Sequence, residues 1–281
     1  MSDSTPSHPS DPGIAVALSS AFLGVYAHGG FLCGLNQAGI FPGHIAGASA
    51  GALAGGFYAA GFRGPALEET VLSATLKKSY FDLLMFIRGA PLSIGILTGI
   101  MGGKRVVRHL KSVLPVAAIE ETPEVKLSIA VTDLRRSEAL FLTSGPLAES
   151  IMASCAVPIL FSGQDIGGRK YHDGGITNEI PLEPFTADPA IHTIIIHKII
   201  YPGDEKKNYL SIRAAFINGH NMLNDALQER RQKEAESNGK RVIILETRHT
   251  HPGILQSKAT KKRCFEDGYR TGSSISNEIK P

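Results

Sequence analysis

Residues 44–62 read HIAGASAGALAGGFYAAGF, and this stretch is the strongest indication of the fold in the sequence. It joins a short apolar segment to a longer one through a glycine-rich turn. It also belongs to a longer run, residues 12–62, that contains no Asp, Glu, Lys or Arg. Such a run must be mostly buried, and strands that are covered by helices on both faces of a parallel sheet show unbroken apolar segments of this kind. The stretch therefore predicts a strand, a turn and a helix inside an α/β protein.

A membrane span is the first alternative for the apolar part of this stretch. Residues 45–62 are uncharged and reach the length of about 18 residues that a transmembrane helix needs. Their side chains are mainly those of Ala and Gly, however, which gain little free energy on transfer into a bilayer. The composition therefore favours a buried helix.

The segments on either side continue the alternation of strands and helices. Residues 14–18 (IAVAL) predict the first strand, and the loop 19–24 leads from it into a helix. Predicted strands cover residues 14–18, 44–46, 125–132, 191–197 and 241–246, and predicted helices cover residues 28–38, 50–60, 147–155 and 208–236. This order is typical of an α/β fold with a mainly parallel central sheet flanked by helices.

The composition is that of an ordinary globular protein. The chain has 281 residues, of which 43% are hydrophobic and 20% charged, and this excludes a disordered, collagenous or repeat protein. Lys and Arg (29) nearly balance Asp and Glu (26), so the charge predicts no nucleic-acid partner. The net charge of +3 mildly favours anionic surfaces.

The N-terminus and the cysteines bear on organisation and compartment. Residues 1–12 are polar and rich in Pro and Ser, and we expect a flexible tail rather than a secretory signal, followed by a single domain over residues 13–281. Cys33, Cys155 and Cys264 are too widely spaced for a disulfide framework or a zinc site, and Cys155 and Cys264 are expected to be core packing and incidental thiols. We expect a cytoplasmic location, and neither a metal nor another cofactor.

Residues 47–51, GASAG, form a G-x-S-x-G pentapeptide at the predicted strand-to-helix turn. A serine held on such a turn is exposed for nucleophilic attack, and glycines on both sides let the neighbouring backbone approach. The helix that begins at Ala50 adds free N–H groups and its positive dipole end. Gly/Ala/Ser-rich turns also serve close packing or phosphate binding, so at this point Ser49 is one of two interpretations.

A nucleophilic serine needs a proton acceptor, and the sequence offers two kinds. In the chain order Ser, Asp, His, the late histidines His220, His249 and His251 are candidates for a triad. The other candidate is Asp173, in YHDGG at residues 171–175. Its neighbour His172 points to the opposite face of an extended strand, so the two side chains are not expected to reach Ser49 together.

Together these motifs resemble the patatin-like phospholipase family, whose members use a Ser–Asp pair in place of a triad. GASAG resembles the family's G-x-S-x-G turn, and DGG at residues 173–175 resembles its D-G-[GA] motif. Further matches are SIMASCAVP at residues 150–158 with Phe161, and Asn178 with Pro181. The resemblance covers residues 14–185. It implies a three-layer patatin-like fold and a lipid acyl hydrolase with Ser49 as nucleophile, Asp173 as base and Gly47, Gly51, Gly174 and Gly175 as motif glycines.

One part of the pattern departs from the family. Its loop after the first strand is commonly G-G-G-x-[RK]-G, whereas residues 19–24 read SSAFLG and only the last glycine matches. The resemblance implies that this loop and the following turn supply main-chain amides for the oxyanion, from Ser20, Ala21, Phe22, Leu23, Gly24 and Ala50. The missing glycines keep a second hypothesis open, that of a catalytically weak relative that binds lipid or a protein partner. A triad esterase that uses His249 or His251 is a third.

Two segments bear on a lipid substrate. Residues 83–103 are apolar but broken by Gly and Pro, and they predict either a cap or acyl-chain pocket or, equally, a core helix with its connecting loop. Lys258, Lys261, Lys262 and Arg263 form a basic cluster on a predicted C-terminal helix. That cluster fits either a solvated helix face or contact with anionic headgroups at a membrane surface. The expected partner is a phospholipid or another acyl lipid, and the sequence carries no signal for the oligomeric state.

Overall fold

The computed structural model describes residues 9–80, 102–158, 160–201, 212–249 and 257–279. The apolar segment predicted at residues 83–103 lies outside the described residues except for its last two glycines, and so does His251.

The strands lie close to their predicted positions. They are β1 (Asp11–Leu18), β2 (Pro42–Gly47), β3 (Lys126–Asp133), β4 (Glu138–Leu142), β5 (Gln164–Ile166), β6 (Arg169–Asp173), β7 (Thr193–Ile200) and β8 (Arg241–Arg248). The first strand begins at Asp11 instead of Ile14, because the Asp11 amide donates to the carbonyl of Phe41 next to β2. Asp11 and Pro12 therefore belong to the sheet and not to a tail.

The described helices include five that the sequence pattern did not predict. They are α1 (Val25–Gln37), α2 (Ala50–Ala59), α3 (Gly64–Leu72), α4 (Ala74–Tyr80), α5 (Lys104–Val113), α6 (Leu147–Ser154), α7 (Glu183–Thr186), α8 (Ile212–Ser237), α9 (Lys258–Ser273) and α10 (Ser276–Ile279). Of these, α3, α4 and α5 are short and fill the connection from β2 to β3. The first helix begins three residues earlier than predicted, directly after Gly24.

The sheet is mainly parallel, as predicted. Its pairing order is β5-β6-β3-β2-β1-β7-β8, and β4 also pairs with β3. The pairs among β1, β2, β3, β7 and β8 are parallel, whereas β4, β5 and β6 form antiparallel pairs at one side. The antiparallel pairs were not predicted, because β4 is only half-buried and β5 has three residues.

Helices cover both faces of this sheet, which gives three layers. Alternate residues of β1 point to opposite faces: Val16 and Leu18 pack in one apolar cluster, and Ala15 and Ala17 in another. The first cluster contains residues from α1, α2, α6 and α9, and the second contains Phe185 of α7 and Ala235 of α8. The predicted three-layer α/β fold is therefore confirmed.

The register of β3 places two distant segments next to each other. Ile129 pairs with both Gly47 of β2 and Leu142 of β4, so β2 and β4 lie on opposite edges of β3. Val131 pairs with β4 and also with Asp173 of β6, so β6 lies on the same edge as β2, just beyond the point where β2 ends. The end of β6 therefore meets the turn that follows β2.

Candidate active site

Ser49 occupies a strained turn between β2 and α2. Its backbone angles are φ 52° and ψ −115°, a conformation that residues with a side chain rarely adopt. This turn projects the side chain away from the strand and from the helix. The geometry is that of a nucleophile turn, as the G-x-S-x-G pattern predicts.

The four motif glycines allow close backbone contacts around this turn. A Cβ atom on Gly51 would lie 2.3 Å from the carbonyl oxygen of Leu18, and one on Gly174 would lie 2.2 Å from that of Ala130. A Cβ on Gly47 would meet the backbone of Gly51, and one on Gly175 would meet the Ser20 side chain. The lack of space for a side chain, rather than a left-handed backbone, therefore explains why these four positions are glycine.

Asp173 ends β6 and faces Ser49. The Ser49 hydroxyl Oγ donates a hydrogen bond of 2.8 Å to Asp173 Oδ2, and the amide of Gly175 donates one of 2.7 Å to Oδ1. The main chain of Asp173 is fixed as well, because its carbonyl accepts from Thr132 Oγ1 and its amide donates to Ala156. The structure thus brings together the two residues that the motifs predict.

The carboxyl group of Asp173 is buried, with only 4% of the residue exposed. Burial raises its pKa to about 7, and the hydrogen bonds from Ser49 and Gly175 oppose that shift. A carboxylate with a pKa near neutral pH is a stronger base than an exposed one and still ionises at physiological pH. The adjacent His172 does not compete for Ser49, since its ring lies against Gly163.

Two neighbours of Ser49 on α6 were not predicted to have a role in the site. Ser154 Oγ accepts a hydrogen bond of 2.9 Å from the Ser49 amide and donates one of 2.7 Å to the carbonyl of Ala130 on β3. The Cys155 thiol, expected only to pack in the core, donates to the Ser49 carbonyl at 3.3 Å. Burial raises the pKa of Cys155 to about 12, so the thiol stays protonated. The two side chains hold the strained turn through its amide and its carbonyl group.

The predicted oxyanion loop divides into two groups. Ala21, Phe22, Leu23 and Ala50 line one cavity together with Ser49, whereas Ser20 and Gly24 do not. The amide of Ser20 donates to the carbonyl of Glu179, and that of Gly24 to the carbonyl of Ala21. These two amides are therefore engaged by the backbone and were wrongly included among the oxyanion donors.

Leu23 shows the effect of the missing glycines. Its φ is +60°, which places a non-glycine residue in the left-handed region. Ala50 is the first residue of α2, so its amide has no acceptor within the helix. Ala21, Phe22, Leu23 and Ala50 remain the candidate amides for an oxyanion.

A buried histidine pair supports this loop from below. His28 Nε2 lies 2.9 Å from the carbonyl oxygen of Ser19, and its Nδ1 lies 2.8 Å from Nδ1 of His197. Because a carbonyl only accepts, His28 carries its proton on Nε2 and accepts from His197 through Nδ1. Burial lowers the pKa of His28 to about 3 and that of His197 far below its usual range, so both rings stay neutral. The hydroxyl of Tyr201 donates to the carbonyl of Phe22 and fixes the tip of the loop.

The cavity in front of Ser49 is small and apolar. It has a volume of about 120 Å³, and its apolar walls come from α1, α2, α4 and the segment after α6. They include Val25, Leu53, Leu76, Tyr80, Leu160 and Phe161. Burial raises the pKa of Tyr80 far above its usual range, with smaller effects from Cys155 and Asp173, so its hydroxyl remains a donor. An apolar pocket beside a candidate nucleophile suits the chain of an acyl group.

A larger open groove of about 1290 Å³ lies elsewhere, where α1 and α2 end. Its walls include Asn36, Gly61, Arg63 and Tyr269, but neither Ser49 nor Asp173. The small cavity, not the larger groove, is therefore the candidate active site.

His249 does not complete a triad with Ser49. It follows β8, which is three strands away from β2 in the sheet, a distance of about 14 Å. Its Nδ1 lies 3.4 Å from the Cys264 thiol, and its ring packs against Tyr201. Of the late histidines predicted as bases, this one is wrong on geometry.

Two features are absent from the described ranges. Within them, no group of three or more His, Cys, Asp and Glu side chains is arranged to bind a metal ion. None of the helices in those same ranges combines the length and the hydrophobicity that crossing a bilayer requires.

Comparison with known proteins assigns the family. Residues 16–186, more than half of the chain, match the family model of the patatin-like phospholipases. The chain therefore belongs to the patatin-like phospholipase family, and the resemblance predicted from its motifs is confirmed. Family membership supports lipid hydrolysis as the general class of activity.

Several relatives are similar to the chain over part of their length. Proteins of Mycobacterium bovis and Mycobacterium tuberculosis, described as uncharacterised NTE family proteins, are 32% identical over 187 residues, which are 66% of this chain and 49% of the relative. The chain thus spans about half the length of the curated relatives it matches.

Two solved structures are similar in fold at low sequence identity. VipD from Legionella pneumophila is 16% identical, with a TM-score of 0.48 over 97% of this chain and 68% of that one. The type III effector ExoU of Pseudomonas aeruginosa is 13% identical, with a TM-score of 0.48 over 96% and 53% of the two chains.

Proposed function

We propose that this protein is a lipid acyl hydrolase that cleaves carboxylic esters through an acyl-enzyme on Ser49, with Asp173 as the only base. The observation that carries the proposal is the 2.8 Å hydrogen bond from Ser49 Oγ to the buried Asp173 carboxylate at the mouth of an apolar cavity. The class of substrate follows from the family and from the apolar walls of that cavity.

In the first half-reaction Asp173 Oδ2 accepts the Ser49 proton while Oγ attacks the ester carbonyl. The negative charge that develops on the carbonyl oxygen is stabilised by amides among those of Ala21, Phe22, Leu23 and Ala50. Protonated Asp173 then gives its proton to the leaving alcohol, and the acyl group remains on Ser49. In the second half-reaction Asp173 takes a proton from water, the resulting hydroxide attacks the acyl-enzyme, and the proton returns to Ser49 as the fatty acid leaves.

The test compares wild type with Ser49→Ala and Asp173→Asn on a soluble medium-chain ester and on a phospholipid. We expect each variant to lose about 10³-fold or more in kcat, and the double variant to lose little more than either. Ser112→Ala and Asp165→Asn change exposed residues outside the cavity and serve as matched controls. Wild-type rates in Ser49→Ala would overturn the proposal.

A second function is favoured by one observation, the left-handed Leu23 in a loop that has lost its glycines. A catalytically weak relative would keep the apolar cavity and bind lipid without turnover. A fluorophosphonate probe separates the two functions, because it labels Ser49 only where the base and the oxyanion amides are competent. Folded wild-type protein that binds lipid but resists the probe would establish the second function.

A further inference from the structure

A lysine-rich groove of about 850 Å³ lies beside α3, α4 and the start of α9. Lys77 and Lys78 come from α4, and Lys258 and Lys261 come from the first turn of α9. The two pairs are about 180 residues apart in the sequence, so neither segment alone predicts a joint site. We call this surface the lysine groove.

Positive charge prevails in the lysine groove. Its only acidic walls among the described residues are Glu68 and Glu69, and Glu68 already forms an ion pair with Lys262. Neither Lys78 nor Lys258 has a carboxylate within 4 Å in the part of the chain that the structure describes. An anion that enters the groove would therefore meet the ammonium groups of Lys78 and Lys258, which no described carboxylate neutralises.

Lys261 lies near enough to Lys77 and Lys258 for their positive charges to affect it. It is only 5% exposed, and its Nζ donates a hydrogen bond of 2.7 Å to the carbonyl of Leu72, at the end of α3. Burial lowers the pKa of Lys261, and the charges of Lys77 and Lys258 lower it further. The fold thus tolerates mutual repulsion among three lysines, and a bound anion would relieve it.

The lysine groove adjoins the candidate active site. Lys77 lines both the groove and the apolar cavity in front of Ser49, and its neighbour Leu76 lines the cavity as well. A molecule with an anionic group in the groove therefore has an adjoining apolar part within reach of the cavity. Phospholipids have both parts, an anionic headgroup and adjoining apolar acyl chains.

We propose that the lysine groove docks the protein on an anionic phospholipid bilayer and seats headgroup phosphates next to the cavity of Ser49. The choice of lipid over another polyanion rests on the proposed function, whereas binding itself requires no catalysis. Each lysine near an anionic bilayer strengthens binding about fivefold, and the effect falls with added salt.

The experiment measures co-sedimentation of the full chain with vesicles of phosphatidylcholine alone and of an equimolar mixture with phosphatidylglycerol. We expect binding to the mixed vesicles only, weakened by salt, and a loss of at least about 25-fold in the double variant Lys78→Glu with Lys258→Glu. The matched control, Lys126→Glu with Lys233→Glu, changes the net charge equally at exposed positions outside the groove and should lose much less.

Three outcomes would overturn the docking proposal. The first is equal binding to neutral and anionic vesicles, and the second is an equal loss in the groove variant and its control. The third is displacement of the protein from vesicles by inorganic phosphate at constant ionic strength, which would assign the groove to free phosphate.

Failure of the proposed function is distinguishable from failure of docking. We expect Ser49→Ala to lose ester hydrolysis but to bind mixed vesicles as wild type does. We expect the groove variant to keep wild-type rates on a soluble ester and to lose only hydrolysis at the vesicle surface. Unchanged vesicle hydrolysis in the groove variant would contradict docking and leave the Ser49 chemistry intact.

Discussion

Asp173 combines two properties that oppose each other in a carboxylate, burial and ionisation. Removing it from water raises its pKa to about 7, while hydrogen bonds from Ser49 and Gly175 stabilise the charged form. An exposed aspartate would be ionised at every physiological pH but would be a weak base. The buried group gains basicity, and the proposed hydrolysis becomes sensitive to pH near neutrality.

The first prediction concerns this sensitivity. Only ionised Asp173 can accept the Ser49 proton, so kcat/KM for a soluble ester should rise about tenfold per pH unit below pH 7 and level off above it. Initial rates between about pH 5.5 and 8.5 measure the profile. The Asp165→Asn control should reproduce it. A rate that is constant across pH 7, or that falls as the pH rises from 6 to 7, contradicts the role of Asp173.

Ser154 supports the nucleophile from behind. Its hydroxyl is fully buried and connects the Ser49 amide to the carbonyl of Ala130. Truncation would leave a buried donor and a buried acceptor without a partner, each at a cost of about 1–3 kcal/mol. The strained backbone of Ser49 would also lose one of its restraints.

We therefore expect Ser154→Ala to lower the free energy of unfolding by about 2 kcal/mol or more and to reduce kcat on a soluble ester. Urea unfolding and steady-state kinetics measure the two effects. Ser150→Ala on the same helix is the matched control, because Ser150 Oγ donates only to the Pro146 carbonyl, which also accepts from the Ser150 amide. Equal losses in the two variants would show that Ser154 has no special role.

At the level of elements, α1 and α9 approach each other through glycines. A Cβ on Gly30 would lie 1.9 Å from the carbonyl oxygen of Phe265, and one on Gly268 would lie 2.0 Å from that of Ala27. Gly34 and Gly272 repeat the contact one turn further along each helix. Because α1 carries His28 beneath the oxyanion loop and α9 carries Lys258 and Lys261, this contact joins the candidate site to the lysine groove.

The prediction at this scale is that Gly268→Ala destabilises the fold. Alanine favours a helix by about 1 kcal/mol over glycine, but here its methyl group must displace the α1 backbone, which costs at least about 2 kcal/mol net. Gly219→Ala on α8 is the control, since a Cβ there meets nothing within 4 Å, and it should stabilise the protein slightly. Urea unfolding compares them. A neutral or stabilising Gly268→Ala would mean that the helices separate without cost.

The sequence predicts the elements that are long, apolar and buried, and it predicts Ser49 and Asp173 through their motifs. Periodicity could not place the end of β6. Its position depends on the tertiary fold, because β6 pairs with the same edge of β3 as β2 does. Ser154 was missed for a related reason, since its contact with Ser49 spans 105 residues and forms only in the tertiary fold. Asp11 and Pro12 belong to β1, whereas a flexible tail before them and a single domain after them stay predictions.

For the molecule as a whole, buried histidines set the response to acid. Burial lowers the pKa of His28 to about 3 and of His44 to about 4, and that of His197 falls well below its usual range. In the unfolded chain these rings take up protons below about pH 6.5, whereas the native state keeps them neutral. Each histidine therefore lowers the free energy of unfolding by about 1.4 kcal/mol per pH unit as the pH falls below about 6.5. Asp173 acts in the opposite direction, because its native carboxyl group binds a proton below about pH 7 and its unfolded form only below about 4.

His28, His44 and His197 together with Asp173 leave a net effect of two protons, and the lowered pKa values of His109 and His172 act in the same direction. We expect the free energy of unfolding to fall by roughly 3 kcal/mol per pH unit between about pH 6 and 5, measured by urea unfolding at several pH values. His44→Gln should make this slope shallower by about 1.4 kcal/mol per pH unit, whatever it does to the stability at pH 7.5, because it removes one of the rings whose pKa the fold lowers. The slope is the decisive quantity, since loss of the His44–Ser128 hydrogen bond shifts stability equally at all pH values at which the ring is neutral. A free energy of unfolding that stays constant or rises between pH 6 and 5 would mean that the native state protonates these rings. His28 and His197 would then not be the neutral pair that their hydrogen bonds beneath the oxyanion loop require.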